Sequence, residues 1–251
     1  MFIPQNTTFW GILFPGSQSL TELNFSRFRV ITFDCYGTLI DWETGILNAL
    51  RPVLSAHNAN LSDPEILRLY GELEAEAESS EYHPYREVLR RVVRGFGSRL
   101  GFHPTDAEQL SLPDSLANWT PFPDTVAALR RLKARFKLGI ISNVDDDLFA
   151  PTARRLEIDF DYVITAGQAR AYKPSLKIFE LAQHRIGVQP EQWLHAAQSV
   201  YHDVIPAKSL GISTVWVNRP SLRAGVGAVR QASAEPDATV ASMQALADLA
   251  L

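Results

Sequence analysis

The stretch Arg-Val-Ile-Thr-Phe-Asp-Cys-Tyr-Gly-Thr-Leu-Ile-Asp, residues 29–41, decides the fold. Val30, Ile31, Thr32 and Phe33 form an uncharged β-branched and aromatic run, the pattern of a strand buried on both faces of a parallel sheet. The run stops at Asp34, and Gly37 permits a sharp turn directly after it. In an open α/β sheet, ligands bind outside the carboxyl ends of the strands. A carboxylate at such a tip, followed by a glycine turn and the Thr38 hydroxyl, points to a nucleophile. Capping of the next helix is the other role open to an Asp in that place.

The rest of the chain supplies enough material for a large core. It has 251 residues, 46% of them hydrophobic, which fits one large domain or one domain with an insert. Lys and Arg number 24 against 28 acids, a net charge of -4, so no general polyanion-binding surface is expected and nucleic acid is not an expected partner. The single cysteine, Cys35, excludes an internal disulfide framework and fits a reducing compartment. It neighbours Asp34, but successive side chains at a strand tip point to opposite sides, so its expected role is packing. Residues 1–26 mix apolar residues with Pro, Asn, Thr, Gly and Ser. They show neither a basic leader nor a membrane-length apolar run, so an extension packed on the domain or a flexible tail, and a cytoplasmic location, are expected.

Taken in order, the chain alternates between helix and strand, with one long interruption. Residues 42–57 carry an apolar stripe of Ile46, Leu47, Leu50, Val53 and Leu54, the spacing of an amphipathic helix. Asp63-Pro64-Glu65 reads as a helix start capped by Asp63, and helices are expected over 64–79 and 84–100. No convincing strand lies between 42 and 120, which marks an insert of helices. Beyond it, strands are expected at 138–141, 162–165, 193–197 and 214–217, with an edge strand at 238–240. Helices are expected at 125–135, 151–156, 175–186, 205–210 and 242–249, and a loop at 225–234. This alternation predicts an α/β fold: a Rossmann-like, doubly wound parallel sheet with an inserted helical cap domain. The expected divisions are an extension at 1–26, a core of 27–41 plus 121–251, and the cap at 42–120.

Several strands end in small polar or charged residues: Asp34, then Ser142-Asn143, then Ser199 followed by Asp203. Lys173 stands before Pro174, just after the 162–165 strand. In a parallel sheet all of these converge on one rim, as an active site requires. On these motifs the sequence resembles the haloacid dehalogenase superfamily, from about residue 28 to 250. Within it the Tyr36-Gly37-Thr38-Leu39 sequence after Asp34 is most similar to the L-2-haloacid dehalogenase branch. The resemblance implies that Asp34 attacks carbon and displaces halide, leaving an ester that water hydrolyses. It implies a small 2-halocarboxylate substrate of the chloroacetate or fluoroacetate type, no cofactor, no metal, no membrane partner, and extends to a homodimer, since many relatives are dimers.

Most of that superfamily transfers phosphoryl groups, so the residues that separate the two chemistries matter. The phosphatases carry a second Asp two residues after the nucleophile, to protonate a basic alkoxide, and such general-acid help is worth roughly 10²–10⁴-fold. Here that place is Tyr36, whose ordinary pKa is about 10. A halide leaves without a proton. The phosphatases also hold Mg²⁺ with an Asp in the fourth motif, where this chain has neutral Ser199; Mg²⁺ favours carboxylate oxygens. Lys173 is expected to hold Asp34 ionised and to pair with Asp203. Thr38, Ser142 and Ser199 can donate hydrogen bonds to a carboxylate. The resemblance puts Tyr36 and Asn143 near the halogen-bearing carbon and gives Asp203 a part in orienting the hydrolytic water.

Two departures bear on the substrate. The dehalogenases have a cap arginine facing the nucleophile, whereas this chain reads Leu69-Tyr70-Gly71-Glu72-Leu73-Glu74 in that region, with Arg68, Arg86 and Arg90 expected to be ordinary solvated helix residues. In the fourth motif Val200 replaces an Asn and His202 a Trp, leaving His202 open as proton shuttle or packing residue. The run Glu72, Glu74, Glu76, Glu78 is expected to be mostly a wet face. Any part of it that faced the site would repel an anionic substrate.

Overall fold

The structure, a computed structural model, describes residues 23–79, 81–219, 228 and 232–251. Residues 1–22 of the expected extension, and most of the loop expected at 225–234, lie outside them.

Six strands form one sheet: β1 (Val30–Phe33), β2 (Lys137–Ser142), β3 (Tyr162–Thr165), β4 (Trp193–Ala197), β5 (Ser213–Val217) and β6 (Ala238–Val240). All adjacent pairs run parallel, in the order β3-β2-β1-β4-β5-β6. All four residues of β1 are buried, as expected of a central strand with layers on both faces. The strand order reverses at β1, and a crevice opens at that switch point, outside the strand ends. In register, Phe33 lies opposite Ile140 on β2 and Ala196 on β4, so Asp34 emerges at the middle of the rim.

Asp41, not Asp34, caps the helix that follows, its carboxylate accepting the Thr44 N–H at 3.2 Å and the Thr44 hydroxyl at 2.6 Å. That leaves Asp34 without a capping duty. The chain leaves the core through a narrow neck, where Asp41 N–H bonds to Thr120 O and Phe122 N–H to Leu39 O. Between these points lie three long helices, Trp42–Ala56, Asp63–Glu78 and Tyr85–Leu100, and two short ones, Asp106–Gln109 and Ser111–Ser115. The short pair carries too little periodicity to be read from sequence.

Two expected helix starts are corrected. Ser62, not Asp63, takes the cap of the second helix: the Glu65 carboxylate accepts the Ser62 N–H at 2.8 Å, a capping-box arrangement that puts Asp63 inside the first turn. The helix expected from Pro151 begins at Asp146, with Pro151 inside it. Among the described residues, no helix is long and apolar enough to cross a membrane.

Candidate active site

Asp34 is buried at the rim, its carboxylate held on both oxygens. Lys173 Nζ donates to Oδ1 at 2.8 Å and Thr38 Oγ1 to Oδ2 at 2.8 Å. Thr38 reaches back because Gly37 turns the chain with φ of +92°, a left-handed conformation that disfavours other residues. A Cβ at Gly37 would also stand 3.0 Å from Trp42 Nε1 and 3.3 Å from Gln198 Oε1. The Thr38 hydroxyl accepts the Gln198 N–H at 2.9 Å, so its own proton is directed at Asp34.

Lys173 is buried and uses all three ammonium donors: Asp34 Oδ1, Asp203 Oδ1 at 2.6 Å and Ile141 O at 3.0 Å. Its backbone is fixed by Asn143, whose Oδ1 accepts the Lys173 N–H at 2.7 Å while Nδ2 donates to Lys173 O at 3.2 Å. The Asn143 amide therefore acts first as a clamp on the lysine. Asp203 is aimed inward by a π-helical turn, Val200–Val204, with Ser199 at its start accepting the His202 N–H at 3.1 Å.

A second buried layer supports Asp203. Trp193 Nε1 donates to Thr32 Oγ1 at 2.8 Å, Thr32 Oγ1 lies 2.8 Å from His195 Nδ1, and His195 Nε2 lies 3.0 Å from Asp203 Oδ1. With Thr32 giving its proton to Nδ1, the ring proton sits on Nε2 and reaches Asp203, so one tautomer satisfies the whole chain.

Burial is the largest influence on each charge here. At Asp34 burial, with the Asp203 charge adding to it, outweighs Lys173 and Thr38, and the carboxyl stands above the ordinary carboxylate value. This corrects the expectation that Lys173 holds Asp34 ionised, since the lysine only offsets part of the cost of burial. At Asp203 burial is outweighed by Lys173 and His195 together, and the carboxyl is held low. For Lys173, burial works against the charge, but Asp203 and Asp34 raise the ammonium above its usual value.

The cleft above Asp34 spans about 520 Å³, part of it open to solvent. Asp34, Tyr36, Ser142, Asn143, Lys173, Ser199 and Asp203 all line it, and Thr38 stands behind Asp34. The hydroxyl of Tyr36 meets Thr152 Oγ1 at 3.0 Å, and its ring meets Trp119 edge to face. Burial pushes that phenol far above its ordinary value. Cys35 is fully buried, in keeping with packing. His202 lines the cleft, with Nδ1 3.1 Å from Ser199 Oγ.

The other wall comes from the inserted helices and corrects the reading of the glutamate run. Glu72 and Glu76 are paired on the surface with Arg68 and Arg99, but Glu74 and Glu78 line the cleft. Spacing of two spreads charge around a helix, yet spacing of four keeps Tyr70, Glu74 and Glu78 on one face. Tyr70 is fully buried, so Glu74 and Glu78, one and two turns further on, share the covered face of the helix. His195 was missed as well; an imidazole inside an apolar strand needs a partner, and that need was the signal. Arg68 is exposed and Arg86 and Arg90 are half-buried; they are paired with Glu72, with Asp114 and Asp147, and with Glu87, and none of them lines the cleft.

Residues 28–211 match the model of the haloacid dehalogenase-like hydrolases, and the chain belongs to that family. It is 27% identical over 219 residues to an (S)-2-haloacid dehalogenase of Pseudomonas fluorescens, covering 84% of this chain and 91% of that one. It is 35% identical over 197 residues to a glyceraldehyde 3-phosphate phosphatase of Methanothermobacter thermautotrophicus, covering 76% and 85%. The fold matches that of the L-2-haloacid dehalogenase of Xanthobacter autotrophicus, solved with chloropropionic acid covalently bound, with a TM-score of 0.72 at 23% identity over 88% of this chain and 98% of that one.

Proposed function

We propose that this hydrolase cleaves the carbon–halogen bond of short 2-haloalkanoic acids, of the chloroacetate or fluoroacetate type, with Asp34 as nucleophile. The observation that carries the reading is Tyr36 in the wall beside Asp34. Its hydroxyl is turned to Thr152 and its proton is held more tightly than in water, so it is no acid for a departing alkoxide. A halide needs none. The names of several relatives, (S)-2-haloacid and haloacetate dehalogenases, favour the same chemistry.

An Asp34 carboxylate oxygen attacks the carbon bearing halogen; a C–O bond forms as the C–X bond breaks, and halide leaves with the electron pair. Water then adds at Asp34 Cγ. The ester opens to give the 2-hydroxy acid, a regenerated carboxylate and one proton. Lys173 and Thr38 orient Asp34, while Asp203, whose Oδ2 makes no hydrogen bond among the described residues, is placed to orient the water. Ser142, Ser199, Asn143 and Tyr36 shape the space around the substrate. The helical insert acts as the cap over it, and such lids commonly gate entry.

The phosphatase relative, the more identical of the two, makes a second reading concrete: Mg²⁺-dependent cleavage of a phosphate ester. One assay separates the two. Halide release from chloroacetate, fluoroacetate and L-2-chloropropionate should survive EDTA and vanish in Asp34→Asn. Phosphate release appearing only with Mg²⁺, with no halide from any substrate, rejects the dehalogenase.

A further inference from the structure

The proposed substrate is an anion, and among the described residues the cleft offers it no free cation. Lys173 is committed to three acceptors, and Arg68, Arg86 and Arg90 are paired on the surface. The inserted helices instead present two carboxyl groups, Glu74 and Glu78, both half-buried in the cleft wall. Their surroundings differ. Glu74 Oε1 accepts two hydroxyls, from Tyr70 at 2.8 Å and Tyr85 at 2.5 Å, an environment that stabilises a carboxylate. Glu78 makes no hydrogen bond or ion pair among the described residues.

We propose that Glu78, braced by Glu74, reads the carboxyl end of the substrate, and that it does so as a hydrogen-bond-donating acid in place of a cation. This rests on the dehalogenase reading above. Of the two carboxyls, one turn apart on the helix, Glu78 lacks hydroxyl donors and is the one more readily protonated. A protonated carboxyl is both neutral and a donor, so it accepts an incoming carboxylate without repelling it. Burial first and the Glu74 charge second push the Glu78 carboxyl well above its ordinary value, with Lys173 opposing.

A second, independent feature asks for a ligand in the same place. Ser142 Oγ is buried in the wall of this cleft and has no hydrogen-bond partner among the described residues. A substrate carboxylate has two oxygens: one can accept from Ser142, the other from Glu78.

Among the described residues, the ionisable groups lining the same space as Glu78 are Glu74 on its own helix, Tyr85 on the third inserted helix, Asp34, Tyr36, Lys173, Tyr201, His202 and Asp203 from the core, and Tyr172 beside Lys173. Burial holds Tyr36, Tyr85 and Tyr172 protonated across the working range, and Lys173 keeps its charge. His202 is the neighbour that ordinarily titrates near neutrality, so the test must separate it from Glu78.

The experiment measures KM for chloroacetate and for uncharged chloroacetamide from pH 6 to 9, in the wild type and in Glu78→Gln. The KM for chloroacetate should rise roughly tenfold per pH unit once Glu78 loses its proton. The KM for chloroacetamide should stay flat. Glu78→Gln keeps a donor but cannot ionise, so its KM for chloroacetate should no longer depend on pH. A flat wild-type profile, or an unchanged slope in Glu78→Gln, overturns the proposal. No halide from either compound would reject the dehalogenase reading instead, and propionate binding then decides this one. Calorimetry from pH 6 to 9, in two buffers of different ionisation enthalpy, should show proton uptake on propionate binding that grows with pH in the wild type, and none by Glu78→Gln. Absence of binding, or binding without proton uptake, overturns it.

Discussion

The two sides of the cleft are built on opposite principles. On the core side nearly every polar atom is answered: a continuous chain of contacts runs from Trp193 through Thr32, His195, Asp203, Lys173 and Asp34 to Thr38. Two buried carboxylates there share one ammonium. On the cap side two carboxyls stand four residues apart on one helix; among the described residues two tyrosine hydroxyls support Glu74, none supports Glu78, and neither is paired with a cation. The core side holds its charges fixed, as a nucleophile requires. The cap side leaves one proton to be won or lost, as a group that reads a substrate can use.

The largest effect is expected where the core side is broken. In Lys173→Met, Asp34 and Asp203 remain buried without their shared partner, and removing one member of a buried ion pair costs about 3–5 kcal/mol. The urea midpoint should fall sharply at pH 7 and recover in part on acidification, as the orphaned carboxylates take up protons. A midpoint within error of the wild type would mean that the lysine does not carry the charge balance of the core side.

Most of the core side was legible in the sequence because its residues sit where a rule places them. Asp34, Ser142-Asn143 and Asp203 follow buried strands, and a parallel sheet brings such ends together. The same logic recovered the sheet down to the edge strand Ala238–Val240. It failed for His195, which lies within β4 rather than after it, so strand-end reasoning passed over it. The cap wall was hidden for another reason. Whether Glu74 and Glu78 meet water or the nucleophile depends on how the inserted helices lie over the sheet, and nothing local to 63–78 encodes that. The start of the second inserted helix went astray by a single residue, since both Ser62 and Asp63 are good capping residues and only the backbone distinguishes them.

An intermediate effect should expose the cap side through stability rather than turnover. Glu74 and Glu78 have raised carboxyl values in the folded protein, burial being the main cause in each. Between the unfolded value, about 4.3, and those raised values the folded state binds more protons than the unfolded one, so stability falls as pH rises through that window. Asp203, held low, contributes the opposite dependence, but only at pH below the ordinary carboxylate range. The urea midpoint of the wild type should therefore decline as pH rises through that window, Asp34 adding to the decline in both proteins because burial raises it too, and Glu78→Gln should lessen it. Equal slopes in the two proteins would place Glu78 in water.

The smallest effect belongs to the other face of that same helix. Arg68 and Glu72 form an exposed pair one turn apart, at 2.6 Å, with side chains 59% and 43% exposed. Short as it is, such a pair gains little, because water screens the attraction and two long side chains lose freedom in forming it; pairs at this spacing contribute about 0.3–0.5 kcal/mol. Arg68→Ala should shift the urea midpoint by no more than that, and it should leave the KM for chloroacetate and its pH profile where they were. The comparison is demanding because Glu72 and Glu74 are only two residues apart. If Arg68→Ala changed the KM as much as Glu78→Gln did, long-range charge on the helix would account for both, and the distinction between a wet face and a reading face would collapse. If only Glu78→Gln changes it, the side of the helix, and not its total charge, governs how the substrate is met.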